Sequence, residues 1–298
     1  MTDYISAHST SGHLFIPRMF QGFPEIKEAL ISNEMQAAFM VAPMAIALRA
    51  QGVPVKIVYL GHRYGSAVVV RKDGPVHSVA DLKGKTVAIP SRFSDERLIL
   101  FRAATAHGMQ AGKDFKLVEM APPDVAGALA ASAIDGFSMG EPYPSQAEQA
   151  GFGRVLFHAK EYWPDYISCV LVVRQDVIDK RPEAVQVLVD GIARSGLWLD
   201  NPEKRLPRRN HAADFVGRFY FRQDPRLLKW ALTNPLDRVQ YQPLTPLRKD
   251  FDLITRLMRE TGVLDREIAF EEYVDPQFAE GSKHQTEWRY EPGDAVSH

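Results

Sequence analysis

Polar and aromatic side chains follow two predicted strands at the point where each strand ends. They are Ser91, Arg92 and Phe93 after a strand at 86–89, and His62, Arg63 and Tyr64 after a strand at 55–60. A guanidinium beside the free N–H groups of a helix start suits an oxyanion such as nitrate, a sulfonate or a carboxylate. The competing interpretations are that Ser94 only caps a helix, that Arg92 lies on the surface, and that the segment after 55–60 is a solvated hinge turn.

Two X-Pro steps supply a second set of candidate binding groups. Ala42 and Pro43 would offer backbone donors with no competing side chain, and Glu141 precedes a proline at the corresponding place 99 residues later. The carboxylate of Glu141 could accept a hydrogen bond from an amine or amidine ligand, or it could pair with Arg92 or Arg63. If it faces the ligand unpaired, a simple anion is disfavoured because like charges repel.

The remaining chemistry-bearing residues form weaker patterns. Tyr143 and Phe93 could stack on a flat ligand or pack against neighbouring prolines. The nine histidines have no metal-ligand spacing, and Cys169 lies in an apolar run that predicts a buried, inert thiol. We therefore expect no metal site, no cofactor and no catalytic residue.

The segment Gly136–Gly140 matches G-x-S-x-G, the nucleophile elbow of serine hydrolases, with Ser138 as the nucleophile. The elbow needs a strand before its first glycine and a tight helix after its second. Here the preceding residues predict a helix, the motif itself predicts a short strand, and two prolines follow it. A hydrolase is therefore only a minor alternative.

An internal repeat with an offset of 99 residues organises these candidates. Residues 24–52 align without a gap with residues 123–151, with identities that include Pro24/Pro123, Met40/Met139, Pro43/Pro142 and Gly52/Gly151. Each copy predicts a proline-started helix, a short strand, an X-Pro step and a second helix that ends at glycine. Ligands of such α/β units bind beyond the carboxyl ends of the strands, so the repeat predicts one binding loop in each of two lobes.

Composition excludes several classes of protein. The chain has 298 residues, 36 basic and 37 acidic side chains, and a net charge of −1, so no nucleic-acid partner is expected. Its single cysteine excludes an internal disulfide framework. The longest apolar run, Ala37–Leu48, is well short of the roughly 20 residues that span a bilayer. The first residues show no secretory signal.

Two continuous β-branched runs, at 67–71 and 169–174, predict buried strands that carry the chain between the lobes. The expected division is a first lobe from 1–75 and 169–280, an inserted second lobe from 76–168, and a tail from 281–298. The region after 174 predicts mainly helices, interrupted by prolines.

Four segments carry a resemblance to a known family: APMAIALRAQGVPVKIV, SVADLKGKTVAIPSRFS, IDGFSMGEPYPSQAEQAG and CVLVVRQDVIDKRPEAV. The chain resembles the periplasmic solute-binding proteins of ABC importers, in their nitrate, sulfonate, taurine and bicarbonate branch. The resemblance implies an α/β, two-lobe type 2 periplasmic-binding fold with a cleft between the lobes. It also implies a monomer without enzymatic activity, located in the periplasm or at the cell surface, that binds an oxyanion, a sulfonate or a related small molecule and delivers it to a membrane permease.

One departure from that family concerns the start of the chain. Family members begin with a strand, a ligand-touching loop and a helix, but only nineteen residues precede Phe20 here and they do not match that unit. The expectation is that the opening unit is missing. Two alternatives share the fold: a thiamine-pyrimidine synthase, whose cysteine-rich motif is absent, and a cytosolic sensor that regulates a partner protein, with cytoplasmic location as the corresponding alternative.

Overall fold

The structure is a computed structural model that describes residue 12 and residues 15–220 and 223–289. The strands are β1 (Ala37–Val41), β2 (Val55–Tyr64), β3 (Ser66–Arg71), β4 (Thr86–Ile89), β5 (Lys116–Glu119), β6 (Gly136–Gly140), β7 (Gly153–His158), β8 (Ile167–Arg174) and β9 (Val239–Gln240). They form two separate sheets, one for each lobe.

The α-helices surround these sheets. They are α1 (Phe23–Ile31), α2 (Ala42–Ala50), α3 (Asp95–Ala106), α4 (Val125–Ala130), α5 (Tyr143–Gln149), α6 (Ala159–Tyr162), α7 (Gln175–Lys180), α8 (Pro182–Leu199), α9 (Arg205–Phe219), α10 (Pro225–Thr233), α11 (Arg248–Glu260), α12 (Phe270–Tyr273) and α13 (Gln277–Gly281). None of the helices in the described ranges is long and apolar enough to span a bilayer.

The first sheet has the order β1-β8-β2-β9, and every neighbouring pair is antiparallel. Its central strand, β8, is the predicted run of β-branched residues, and Val170 and Val172 on it are completely buried. The second sheet has the order β5-β4-β6-β3-β7. Because β4 and β6 run parallel and adjacent, their carboxyl ends meet at one edge, where binding loops are expected.

The chain passes from the first sheet to the second at Gly65. Strand β2 ends at Tyr64 and β3 begins at Ser66, while Gly65 adopts a φ of 88° that a side chain would disfavour. The return lies between Tyr162 and Ile167. All of β3 therefore belongs to the second sheet, so the chain changes sheets about ten residues before the boundary expected at 75/76.

The internal repeat holds at the level of the backbone. Strands β1 and β6 have bounds that differ by 99 at both ends. The left-handed residues repeat as well, because Asn33 (φ 64°) corresponds to Ser132 (φ 59°) and Gly52 (φ 88°) to Gly151 (φ 80°). The two lobes therefore share one helix–strand–helix unit, which places Ala42 and Glu141 at equivalent strand ends.

The hydrolase interpretation of Ser138 is wrong. Ser138 lies in the middle of β6, opposite Val68 of β3, with its side chain completely buried. A nucleophile elbow requires the serine on a strained turn that exposes its Oγ atom, and a residue within a regular ladder cannot supply that geometry.

A buried ion pair anchors the helices of the C-terminal part. Arg209 on α9 pairs with Asp200 and donates to the carbonyls of Leu232, Leu236 and Val239. The Asp200 carboxylate also accepts from the Tyr241 N–H at 2.6 Å, which holds the segment after β9 against the end of α8. The opening strand is expected to be absent from residues 1–19, and most of these residues lie outside the described ones. Residues 290–298 of the expected tail also lie outside them.

Candidate ligand site between the two sheets

Two adjacent carboxyl groups are buried at the start of α3. Asp95 is 0% exposed and Glu96 is 3% exposed, and the loop that leads to them starts at the carboxyl end of β4, which is Ile89. The sequence forms a helix here because Ser94 adopts extended backbone angles at the N-cap position and the two acids complement the positive end of the helix dipole. Such acids normally face solvent, but here the helix start lies between the two sheets.

Hydroxyl groups from both lobes complete this acidic cluster, which we define as Ser66, Asp95, Glu96 and Tyr166. Ser66 Oγ lies 3.1 Å from Glu96 Oε1 and 3.1 Å from the Tyr166 hydroxyl. Both carboxyl oxygens of Asp95 and the Oε2 atom of Glu96 are buried without a hydrogen-bond partner. The Ala42 N–H and the Ser94 hydroxyl approach these oxygens without full hydrogen-bond geometry, so the cluster presents acceptors that the chain satisfies only in part, an arrangement that costs stability.

Burial dominates the electrostatics of the pair. It raises the pKa of Asp95 well above its ordinary value, and the neighbouring Glu96 charge raises it further, while the Ala42 N–H favours the charged form. Burial also raises the pKa of Glu96, against the hydroxyls of Ser94 and Ser66 that favour its charged form. Strongly perturbed carboxyl groups at a junction between lobes are typical of functional sites.

An aromatic wall from the first sheet lies next to the acidic cluster. It consists of Phe39, His62 and Tyr241, and the last two rings meet edge to face at 6.2 Å. A Cβ atom at Gly61 would lie 2.9 Å from the Phe39 ring and 3.3 Å from Cys169, so the glycine allows this close approach. Cys169 lies near both the wall and the cluster. Burial raises the pKa of its thiol to about 12, and the charges of Asp95 and Glu96 contribute to that rise.

Among the predicted residues, Ala42, Pro43 and His62 lie at this site. Ala42 and Pro43 are buried at the start of α2, where the Ala42 N–H faces Asp95. His62 carries a buried Nδ1 atom without a partner, and burial lowers its pKa to about 4, so its ring is neutral. Ser91 is also buried, but its Oγ accepts from the Phe93 N–H at 3.1 Å and shapes the turn before α3.

Arg92 and Phe93 lie apart from the acidic cluster, on a wide groove of about 1490 Å³ between the lobes. Arg92 is exposed and covers the Phe93 ring at 4.8 Å. The groove mixes charges of both signs, and Arg97 spans it by donating to the Thr261 carbonyl at 2.8 Å. None of the residues that line this groove carries a buried polar atom without a partner that a ligand would complete.

Arg63 has a structural role. It is 4% exposed and donates to the carbonyls of Pro243 and Asp165, and it pairs with Asp250 at 2.9 Å. Tyr64 next to it has a φ of 64° and ends β2. The guanidinium of Arg63 is therefore used within the first lobe and is not available to a ligand.

Glu141 is paired, but not with either arginine considered from the sequence. Its Oε1 atom lies 3.2 Å from Arg238, which also binds Glu148 at 2.7 Å and the Ser145 hydroxyl at 2.6 Å. Burial raises the pKa of Glu141 to about 7, although Arg238 lowers it. The prediction that Glu141 could pair with Arg92 or Arg63 is therefore wrong. Its partner Arg238 joins the segment before β9 to α5 of the other lobe.

Tyr143, the last predicted site residue, is half-buried against the apolar cluster on the second sheet.

Sequence reasoning missed the acidic pair, Tyr166 and Arg238. The available hint was that Ser94, Asp95 and Glu96 open a helix a few residues after β4, but the burial of the two acids depends on chain that lies far away in sequence. Within the described ranges no group of three or more His, Cys, Asp or Glu residues could hold a metal ion.

Comparison with known proteins agrees with this architecture. A nitrate/nitrite binding protein of Synechocystis is 28% identical over 100 residues, which cover 34% of this chain and 22% of that protein. A ligand-binding component of an ABC-type import system from Staphylococcus aureus superposes with a TM-score of 0.82 at 23% identity, covering 95% of this chain and 94% of that one. An alkanesulfonate-binding protein of Xanthomonas axonopodis pv. citri, bound to MOPS, gives a TM-score of 0.75 at 17% identity, covering 92% and 91%.

These findings confirm the expected fold and the expected resemblance. The structural neighbours establish a two-lobe type 2 periplasmic-binding fold. The chain spans less than a third of the length of the curated relatives that it matches first. Residues 5–211, more than half of the chain, match the sequence model of one family. The chain belongs to the NMT1-like family.

Proposed function

We propose that this protein is the solute-binding component of an ABC importer, which captures a small polar ligand between its two lobes and delivers it to a membrane permease. The observation that carries the proposal is the acidic cluster. Its unsatisfied acceptors lie where both sheets meet, next to the Ala42 N–H of the first lobe and close to Gly140 of the second, where an added Cβ atom would lie 3.9 Å from Glu96 Oε1. Sites of this kind bind ligands through a few convergent polar groups in a mostly apolar cleft.

Hinge motion about the two crossings gives access to the site. The crossings are single short segments, Gly65 and the stretch between Tyr162 and Ile167, so few backbone angles must change to separate the lobes. Arg238 and the Lys160–Asp237 pair, at 2.6 Å, join the C-terminal segment to the second lobe. These contacts stabilise the closed arrangement that buries the acidic cluster.

The relatives support a binding role, and one solved neighbour is named as a periplasmic nitrate-binding protein of Synechocystis. Their names describe binding proteins for nitrate and nitrite, for alkanesulfonates, and for an ABC-type import system. On that ground we propose for this chain a permease partner and a periplasmic or surface location. A monomeric state is part of the same proposal. Two residues argue against covalent catalysis: Ser138 is buried within a strand, and the Cys169 thiol, with a pKa of about 12, stays protonated.

Ligand-induced closure tests the proposal. We expect one or more small molecules to raise the melting temperature of the purified protein and to lower its radius of gyration in small-angle X-ray scattering. The panel contains nitrate, bicarbonate, alkyl- and arylsulfonates, taurine, amidines, guanidines and pyrimidines. A ligand that stabilises the protein without closing it, or a panel with no stabilising member, contradicts the proposal. A ligand-dependent complex with a cytosolic regulator instead of a permease favours the sensor alternative.

A further inference from the structure

The acidic cluster lacks a compensating positive charge. Among the described residues, no lysine, arginine or histidine pairs with Asp95 or Glu96, and no cation contributes to their electrostatics. Arg63 and Arg238 are already paired with other carboxylates. His62, with its depressed pKa, is neutral. Two buried acids without a cation are costly unless a ligand supplies the missing charge or donors.

We propose that the cleft takes a ligand with a positively charged or donor-rich nitrogen group, such as an amidine, a guanidine or an amine, and that Asp95 and Glu96 receive that group. The proposal rests on the proposed function and deepens it by naming the ligand class. The relatives named for nitrate and alkanesulfonates bind anions, so the charge of this cleft would set the chain apart from them.

The geometry of the acceptors suits a planar nitrogen group. Three unsatisfied oxygens, both of Asp95 and Oε2 of Glu96, lie on consecutive residues of one helix start. A forked amidine or guanidine donates two parallel hydrogen bonds to carboxylate oxygens, which gives both direction and strength. The aromatic wall formed by Phe39, His62 and Tyr241 offers ring faces and edges for the flat part of such a ligand.

An anion could bind here only if both acids were protonated and donated their hydrogens. The two possibilities respond in opposite ways to isosteric amides. Asp95→Asn and Glu96→Gln retain a donor on each side chain, so they preserve a site that binds an anion. The same substitutions remove the charge and place an N–H₂ group against the ligand's own donors, so they destroy a site that binds a cation.

The experiment compares two matched pairs of probes: benzamidine with benzoate, and methylguanidine with nitrate, all at millimolar concentration and constant ionic strength. Melting temperature and isothermal titration calorimetry are measured on the full chain, on Asp95→Asn and on Glu96→Gln. Asp124→Asn is the control, because Asp124 is an exposed acid at the start of another helix. Circular dichroism establishes that each variant is folded.

We expect at least one cation to bind the unmodified protein and Asp124→Asn, and to lose about tenfold or more in affinity for each cleft variant. The opposite result is that benzoate or nitrate binds, with the same affinity in the cleft variants, and that neither cation binds. This result overturns the proposed ligand class and leaves the proposed function standing. If none of the four probes binds the unmodified protein but a sulfonate or bicarbonate closes it, the proposed ligand class is overturned and the proposed function stands. If no small molecule closes it, both proposals fail.

Discussion

Arg238 lies 3.2 Å from Glu141 and thereby joins the two lobes through a pair in which neither side chain is more than 9% exposed. Arg238 belongs to the segment that leads into β9 of the first sheet, whereas Glu141 follows β6 of the second. A second carboxylate, Glu148 on α5, binds the same guanidinium at 2.7 Å. Arg238 therefore contributes to the relative position of the lobes, together with the Lys160–Asp237 pair and the Arg97 bond to the Thr261 carbonyl.

Replacing Arg238 with glutamine removes this contact and leaves Glu141 buried without a cation. Breaking a buried pair in this way costs about 3–5 kcal/mol of unfolding free energy. The cost is smaller at pH 6 than at pH 8, because the buried Glu141, whose pKa is already about 7, takes up a proton in acid. Urea unfolding at the two pH values measures the difference. Arg226→Gln is the control, since the Arg226 side chain is 87% exposed and the change is expected to be small.

Scattering provides a second measurement on Arg238→Gln. We expect a larger radius of gyration than that of the unmodified protein without ligand, because the lobes separate when the connection is lost. An unchanged radius together with unchanged stability would show that the pair does not hold the lobes.

Glu141→Gln changes the pH dependence of stability. Burial raises the folded-state pKa of Glu141 from 4.5 to about 7, so the folded protein binds the proton more tightly than the unfolded chain. The stability from that proton is fully present below pH 4.5 and is lost as the pH rises through 7. The unfolding free energy of the unmodified protein should therefore fall relative to Glu141→Gln across this range, by up to about 3 kcal/mol. Denaturant unfolding at several pH values tests this, and parallel profiles for the two proteins would contradict it.

Asp95→Asn should stabilise the protein without ligand at neutral pH. The folded-state pKa of Asp95 is raised by burial and by Glu96, so its contribution to stability is present in acid and lost as the pH increases. Asparagine removes that penalty and keeps the shape of the side chain. We expect a higher melting temperature at pH 8 and a smaller difference at pH 4, with Asp124→Asn unchanged. A lower melting temperature for Asp95→Asn at pH 8 would show that its carboxylate is satisfied in the folded protein.

The sequence predicts the repeat more accurately than it predicts the contacts. Proline and glycine restrict the backbone locally, and so the strand bounds around Met40 and Met139 follow from residues close by. The partner of Glu141 is 97 positions away, and no local pattern indicates Arg238. Asp95 and Glu96 fit a solvated helix start equally well, because their burial arises from packing between two sheets. Ala42 and Pro43 were found because the repeat itself places them at a strand end.

Ser138→Ala tests the correction of the hydrolase interpretation. The Ser138 Oγ atom is completely buried on β6 and has no hydrogen-bond partner, so its removal deletes an unsatisfied polar group and leaves a small apolar one. Such a change is expected to be neutral or to stabilise the protein by about 1 kcal/mol, because a buried hydroxyl without a partner is itself costly. Urea unfolding measures this, and a fluorophosphonate probe should label neither the unmodified protein nor Ser138→Ala. Labelling that disappears in Ser138→Ala would require β6 to open into a turn, a rearrangement that its five-residue pairing with β3 opposes.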